Sequence, residues 1–457
     1  MHKKLIWVII AVLLVARLPM LTEYTPVFWD EASYMNMGKY IYSGGEMGLW
    51  EEIRPPLLPF IGGLLWFLGL DIVLAGKLLV LLASLGVIFL TYRLGKRVFS
   101  EDIALLAAGI VAFTPVFFRY STEFLTGIPS TLFALLALQA FFDRKYLITG
   151  LFAGLAFTTR FTQGILFAVL LAFHLSEYLG SEKPGFLKDI KQMILGFVPL
   201  PLIYLGINWF ITGNPIKPLM KALSHGEYSA YAVNPVHGLV FFIIEMAILN
   251  IIFLFVFNYF FKVITEEKHI DIRESLIVWL FLLSFVFFTF ISNKQIRFVL
   301  VFLPYYALLA SQGFFWFKKQ AKFKYAIPII LLVALSQVVY HDISTYEYYR
   351  PEAPPIFEYY HYFEGKAIDG TILVSHPVAA VYVDAKYDKL YGDLDNALEL
   401  VKKPDIAGVF YQPSFDCEKV NDSKCTRLQN QIFSNLMENK TLVFNRTFYG
   451  LPHYIFI

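Results

Sequence analysis

Apolar stretches long enough to reach across a bilayer, separated by short clusters of Lys and Arg, constrain this chain more than any other feature. A helix needs roughly 20 apolar residues to cross a hydrocarbon core. In lipid, only helices and closed barrels satisfy every backbone group. Candidate spans lie at roughly 5–21, 72–93, 102–118, 127–142, 147–161, 163–178, 192–211, 238–261, 275–292, 297–317 and 325–341. That is about eleven helices, and the pattern predicts an all-α polytopic membrane domain over 1–341. Composition agrees, with 57% of the 457 residues hydrophobic and 16% charged. Soluble domains average roughly 45–50% and about 25%. The net charge of +2 gives no reason to expect nucleic acid as a partner, since the basic residues sit between apolar runs. The first run, 5–21, is read as a retained span, because no small-residue cleavage site follows it.

The basic clusters orient the spans, since cytoplasmic loops carry an excess of Lys and Arg. With the N-terminus in the cytoplasm, Arg93, Lys96 and Arg97 fall inside, as do Arg144, Lys145, Lys183, Lys188 and Lys191. So do Lys262, Lys268, Arg273, Lys318, Lys319, Lys322 and Lys324. Shifting the parity by one span would scatter them. The loop 22–56, the loop 212–236, the turn 292–296 and the tail from 342 then share the outer face of a cell (plasma) membrane. Segment 57–70 is apolar but short, interrupted by Pro59, Gly62 and Gly63, and is assigned to a helix at the interface.

The tail, 342–457, changes character. Strand-like runs such as Thr371-Ile-Leu-Val and Ile406-Ala-Gly-Val-Phe-Tyr flank a helix-like stretch at 396–402. This predicts a C-terminal extracytoplasmic α/β domain with its own core. Both cysteines, Cys417 and Cys425, lie in it, either as a disulfide in an oxidising space or as two free thiols. Three Asn-x-Ser/Thr sequons, at Asn421, Asn439 and Asn445, lie there as well.

The loop after the first span, within 22–71, is chemically dense: Trp29-Asp30-Glu31-Ala-Ser-Tyr34, then Trp50-Glu-Glu-Ile-Arg54-Pro55-Pro56-Leu57. An aspartate among aromatics at a membrane surface is partly desolvated, which strengthens it as a base. Arg54 offers a planar fork suited to a phosphate and never loses its charge. The prolines after it fix the backbone. An ordinary solvated loop with a Pro-initiated helix fits the same residues.

These two motifs resemble the Asp-Glu and Arg/Lys-Pro-Pro-Leu signature of the GT-C glycosyltransferases. More narrowly, the chain is similar to the protein O-mannosyltransferase and lipid A aminoarabinose transferase group, glycosyltransferase families 39 and 83, and their archaeal relatives. The resemblance extends over roughly residues 5–320, with supporting segments at 150–160 and 294–304. It implies a sugar donor carried on polyprenyl (dolichyl or undecaprenyl) phosphate. The acceptor it implies is a protein hydroxyl, a glycan or a glycolipid, met at the outer face. Asp30 matches the catalytic base, with Glu31 beside it as a helper. Transfer would proceed with inversion and polyprenyl phosphate would leave. Cations aimed at that phosphate lower the barrier. Arg54 is the first choice, then Lys294 and Arg297, with Lys217 or Lys221 contributing. Relatives often carry a second acid at the outer start of the fourth span, where this chain has Gly127. Glu123, one turn earlier, is the candidate substitute on the acceptor side, and a plain interfacial charge beside Arg119 explains it equally well.

Arg160 is a further candidate on the acceptor or sugar side, because ionisable residues at membrane depth face a cavity or a partner. Lys77 is read as snorkelling outward. His225 and Glu227, with His237, form a weak candidate set for a divalent metal, at a spacing that matches no standard zinc pattern. A transporter or flippase for a polar lipid is the competing function. No repeated half with broken helices supports it.

Overall fold

The structure, a computed structural model, describes residues 2–21, 27–181, 185–224, 235–266, 270–291, 294–322, 325–348, 354–413 and 423–457. The first helices are α1 (His2–Arg17), α2 (Trp29–Tyr42), α3 (Leu57–Phe67), α4 (Ile72–Val98), α5 (Glu101–Phe113) and α6 (Pro115–Tyr120). Next come α7 (Gly127–Phe142), α8 (Tyr146–Thr159), α9 (Gly164–Ser181), α10 (Phe186–Phe197), α11 (Pro199–Thr212) and α12 (Lys217–Ser224). Then follow α13 (Pro235–Leu249), α14 (Phe255–Thr265), α15 (Ile272–Phe290), α16 (Leu303–Gln320) and α17 (Ala326–Tyr348).

Helices stand wherever an apolar run predicts one, but many are shorter than a bilayer. Among the described residues, five stretches are long and apolar enough to cross a membrane: Ile72–Val98, Phe161–Tyr178, Phe186–Thr212, Ile272–Phe290 and Ala326–Thr345. Others, such as α7 and α8, are apolar but shorter. Breaks in the helices have local causes. Thr114 is extended ahead of Pro115, as a residue before proline prefers, and so divides α5 from α6. Asn250 is extended, and its side chain accepts the Ile252 N–H at 3.0 Å, ending α13. Arg160 is extended (φ −154°, ψ 113°) and ends α8.

The chain divides into two compact units. The first comprises Met1–Leu21, Pro55–Leu57 and Lys77–Tyr349. Its helices meet through small residues, the usual device where lipid removes the hydrophobic drive between helices. A Cβ on Gly150 of α8 would stand 2.0 Å from the Met193 carbonyl oxygen of α10, and one on Gly196 2.2 Å from that of Leu147. Lys77 is buried in this unit rather than snorkelling.

The second unit comprises Thr22–Arg54, Leu58–Gly76 and Arg350–Ile457. Its tail part carries α18 (Phe357–Tyr360), β1 (Thr371–Val374), β2 (Lys386–Lys389), α19 (Leu394–Leu400), β3 (Ile406–Tyr411), α20 (Ser423–Asn439), β4 (Leu442–Phe448) and β5 (Leu451–Phe456). The sheet order is β2-β1-β3-β5-β4. β1 pairs in parallel with β2 and β3, while β5 is antiparallel to β3 and β4. Leu373, Val409 and Phe456 of the sheet pack against Leu400 of α19 and against Ile432 and Leu436 of α20. Burying such side chains is what lets a short sheet hold its order. The α/β character expected of the tail is therefore present. Cys425 is disulfide-bonded, and Cys417 lies outside the described residues.

The loop 27–54 packs in the same unit as the tail. The Phe28 N–H donates to Glu31 Oε2 at 2.9 Å, satisfying a free donor at the start of α2. Gly44 and Gly45 after its end have φ of +67° and +94°, a region that disfavours other residues. α3 crosses α2 closely: a Cβ on Gly63 would lie 2.4 Å from the Gly38 carbonyl oxygen.

Candidate active site

The second unit brings Asp30 and Arg54 into direct contact. Asp30 lies in the first turn of α2, and Arg54 ends the loop just before the two prolines. Arg54 Nη1 is 2.6 Å from Asp30 Oδ1, and both side chains are mostly covered. The carboxylate thus has a fixed cation beside it in a mostly covered setting. The other edge of the guanidinium is held by a residue that the sequence reading passed over. Arg54 Nε donates to Glu51 Oε2 at 2.9 Å. The buried Glu51 also accepts from Ser33 Oγ and from the Tyr391 hydroxyl, each at 3.0 Å on Oε1. The signal was present: Glu51 precedes Arg54 by three residues, a spacing at which a carboxylate and a guanidinium meet in a turn.

Electrostatics follow from this packing. Burial alone would favour a neutral guanidinium. Asp30, the Tyr34 phenol and Glu51 outweigh it and raise the Arg54 pKa well above the usual arginine value. The Arg54 guanidinium also lies 5.5 Å from the Tyr34 ring centroid. Burial and the neighbouring Glu51 charge raise the Tyr391 phenol well above its usual value, so it stays a hydrogen-bond donor.

The tail supports the loop at further points. Trp29, the residue before Asp30, is met edge-on by His376 at 4.5 Å and by Tyr391 at 4.8 Å between ring centroids. Burial, with His453 nearby, pushes the His376 pKa down to about 3. Asn36 Nδ2 donates to the Pro377 carbonyl at 2.8 Å. Lys39 Nζ donates to the Val381 carbonyl and to Asp384 Oδ1, both at 2.6 Å. Burial draws the Lys39 pKa down, against the opposing pull of Asp384. Trp66 of α3 donates to the other Asp384 oxygen at 3.2 Å. Lys389 Nζ reaches the Trp50 carbonyl at 3.0 Å. None of these partners is visible from the loop sequence, because each lies more than 300 residues away.

The first unit gathers a separate set. Arg160 Nη1 donates to Thr126 Oγ1 at 3.1 Å, and its guanidinium lies 5.1 Å from the Phe298 ring centroid, next to Arg297. The buried Glu123 pairs with Arg119 at 3.6 Å. Gln163 Nε2 reaches Ser130 Oγ at 3.5 Å, and Thr131 Oγ1 donates to the Leu300 carbonyl at 2.9 Å. The segment around Gly127, the helix break at Arg160 and the residues after the turn 292–296 are therefore neighbours. Lys294 is buried, and its ammonium donates to the carbonyls of Phe288, Thr289 and Ile291 at the C-terminal end of α15. A cation there is favoured by the exposed carbonyls of a helix end. Lys217 begins α12 and is exposed. His225, Glu227 and the His237 side chain lie outside the described residues. Among the described residues, no group of three or more His, Cys, Asp or Glu side chains forms a metal site.

The family model described as dolichyl-phosphate-mannose-protein mannosyltransferase matches residues 53–207, beginning one residue before Arg54. ArnT from Cupriavidus metallidurans, solved bound to undecaprenyl phosphate, superposes with a TM-score of 0.65 at 13% identity. That match covers 98% of this chain and 97% of ArnT. The archaeal oligosaccharyltransferase AglB from Archaeoglobus fulgidus was solved with an inhibitory peptide and a dolichol-phosphate. It gives a TM-score of 0.59 at 12% identity, covering 99% of this chain and 74% of AglB. None of the curated proteins matches the chain by sequence. Identities this low speak to fold alone, and the chain shares the fold of ArnT and AglB. The chain is an integral membrane protein of this architecture.

Proposed function

We propose that this protein is a glycosyltransferase that moves a sugar from a polyprenyl-phosphate carrier to an acceptor at the outer face of the plasma membrane. The N-terminus is on the cytoplasmic side. The observation that carries the reading is the Asp30–Arg54 contact, a base and a phosphate-binding fork held together at 2.6 Å on a GT-C fold. The acceptor is a protein hydroxyl, a glycan or a glycolipid. Asp30 takes the proton from the acceptor hydroxyl as its oxygen bonds to the anomeric carbon. The bond from that carbon to the phosphate oxygen breaks, and its electron pair leaves with polyprenyl phosphate. The configuration inverts.

In-line displacement puts the attacking and leaving oxygens on opposite sides of the anomeric carbon. Base and clamp therefore cannot stay in contact while the sugar lies between them. The donor phosphate takes the Nη1 side of Arg54 from Asp30, while Nε stays on Glu51. A guanidinium has five N–H donors, enough to hold both partners. Charge developing on the leaving phosphate is then met by a cation already in place, the arrangement that lowers such barriers most. Glu31 caps the first turn of α2 and so holds Asp30 where it stands. A divalent metal is not required by this scheme.

The test is transfer by the purified protein. Polyprenyl-phosphate-linked sugar should support product formation with inverted configuration, and a nucleotide sugar should not. Equal use of a nucleotide sugar, or no transfer from any polyprenyl-phosphate sugar, would overturn the reading.

A further inference from the structure

Tyr391 contacts a neighbour of each member of the Asp30–Arg54 pair. Its ring packs edge-on against Trp29, the residue before Asp30, with centroids 4.8 Å apart. Its hydroxyl donates to Glu51 Oε1 at 3.0 Å, and Glu51 holds Arg54 through Oε2 at 2.9 Å. One tail side chain thus spans the two loop segments whose register sets the distance between base and clamp. We propose that Tyr391 is a positioning residue for this reaction, tying the tail to the geometry of the Asp30–Arg54 pair. The inference rests on the function proposed above.

The surrounding backbone supports the role. Tyr391 follows β2, an edge strand of the sheet. The loop meets that edge in two places: Gly48 forms a single parallel bridge with Lys386, through its N–H to the Ala385 carbonyl at 3.3 Å, and Lys389 Nζ reaches the Trp50 carbonyl. Gly48 is required for this approach. Its φ is +76°, and a Cβ there would stand 2.3 Å from the Asn36 carbonyl oxygen. The edge strand therefore fixes where residues 48–51 run, and the Tyr391 hydroxyl fixes where the Glu51 carboxylate points. Ser33 holds the same oxygen from α2, so the carboxylate is clamped from two elements. A hydrogen bond to a charged acceptor resists reorientation more than one between neutral groups.

Two substitutions separate the contacts, and a third controls for damage to the tail. Tyr391→Phe keeps the ring against Trp29 and removes the donor to Glu51. Tyr391→Ala removes both. Tyr411→Phe removes a hydroxyl of the tail core, which donates to the Gln429 carbonyl at 3.2 Å, and leaves the loop untouched. Steady-state transfer from a polyprenyl-phosphate sugar is measured on all three full-length proteins, together with hydrogen exchange of peptides covering 46–54. Tyr391→Phe should lower kcat about tenfold, because the lost bond serves an orientation needed in the transition state. The KM for the donor should change less than kcat, and exchange over 46–54 should quicken. Tyr391→Ala should fall further, and Tyr411→Phe should match wild type in kcat and loop exchange. Wild-type kinetics and exchange in Tyr391→Phe would overturn the proposal. So would an equal loss in Tyr411→Phe, which would mark a general effect on the tail. Faster exchange over 46–54 in Tyr391→Phe, together with no sugar transfer by the wild-type protein, would sink the functional reading and leave the positioning contact standing.

Discussion

Two arginines, one in each unit, share a chemistry and differ in company. Arg54 is fixed from two sides by carboxylates, Asp30 at 2.6 Å and Glu51 at 2.9 Å. Arg160 is met by the Thr126 hydroxyl at 3.1 Å and by the face of Phe298. Carboxylates orient a guanidinium through charge, and removing the cation leaves Glu51 as a buried charge without its ion-pair partner, which is costly. A hydroxyl and an aromatic ring tolerate that loss far better. The difference teaches that Arg54 belongs to a charge network whose members depend on one another. Arg160 is a separate anchor at a helix break.

The comparison can be broken most sharply at Arg54. Arg54→Ala should lower kcat/KM for the lipid-phosphate donor about a hundredfold, the scale of losing one preorganised charge donor. Arg54→Lys should recover only part of it, because an ammonium cannot serve two partners with a planar fork. Full activity in Arg54→Lys would show that charge alone suffices. Arg160→Ala should cost about tenfold or less, the value of a hydrogen bond and a ring contact. A loss as large as that of Arg54→Ala would erase the distinction between the two sites.

Smaller effects test the scaffold. Gly63→Val would force a side chain into the Gly38 backbone, where even a Cβ has only 2.4 Å. Overpacking of this kind costs roughly 1–3 kcal/mol, so the melting temperature of the full chain should drop by a few degrees. An unchanged melting temperature would mean that α3 can move away freely. The last test is the pH dependence of stability through His376. Its folded-state pKa is about 3, against 6.5 for an unperturbed histidine. Between those values the unfolded chain binds a proton that the folded chain refuses. The contribution is full above pH 6.5 and is lost as the pH falls toward 3. Melting temperature measured across that window should fall less steeply in His376→Gln than in wild type. Identical slopes would remove His376 from the account.

Much of this was legible in the chain, and the remainder was hidden for a physical reason. Apolar runs mark helices because lipid admits little else, so the positions of the membrane helices and the β1 and β3 runs of the tail could be read directly. Asp30 and Arg54 were legible as a pair of local motifs. Their support was not, since Tyr391, His376 and Asp384 meet the loop across more than 300 residues and carry no motif of their own. Helix breaks at Asn250 and Arg160 were equally silent, because polar residues inside apolar runs read alike whether they bend a helix or line a cavity. Lys294 shows the converse. A lysine in an outer turn reads as a phosphate anchor, and its ammonium is placed on three backbone carbonyls instead.

The most direct measurement is the rate of sugar transfer from a polyprenyl-phosphate donor by purified Asp30→Asn beside wild type. Asparagine keeps the size of the side chain and cannot accept the acceptor's proton. The account predicts a kcat lower by about a thousandfold, within the range attributed to a positioned general base, in a protein that still binds the lipid-phosphate donor. Transfer by Asp30→Asn at the wild-type rate would contradict it.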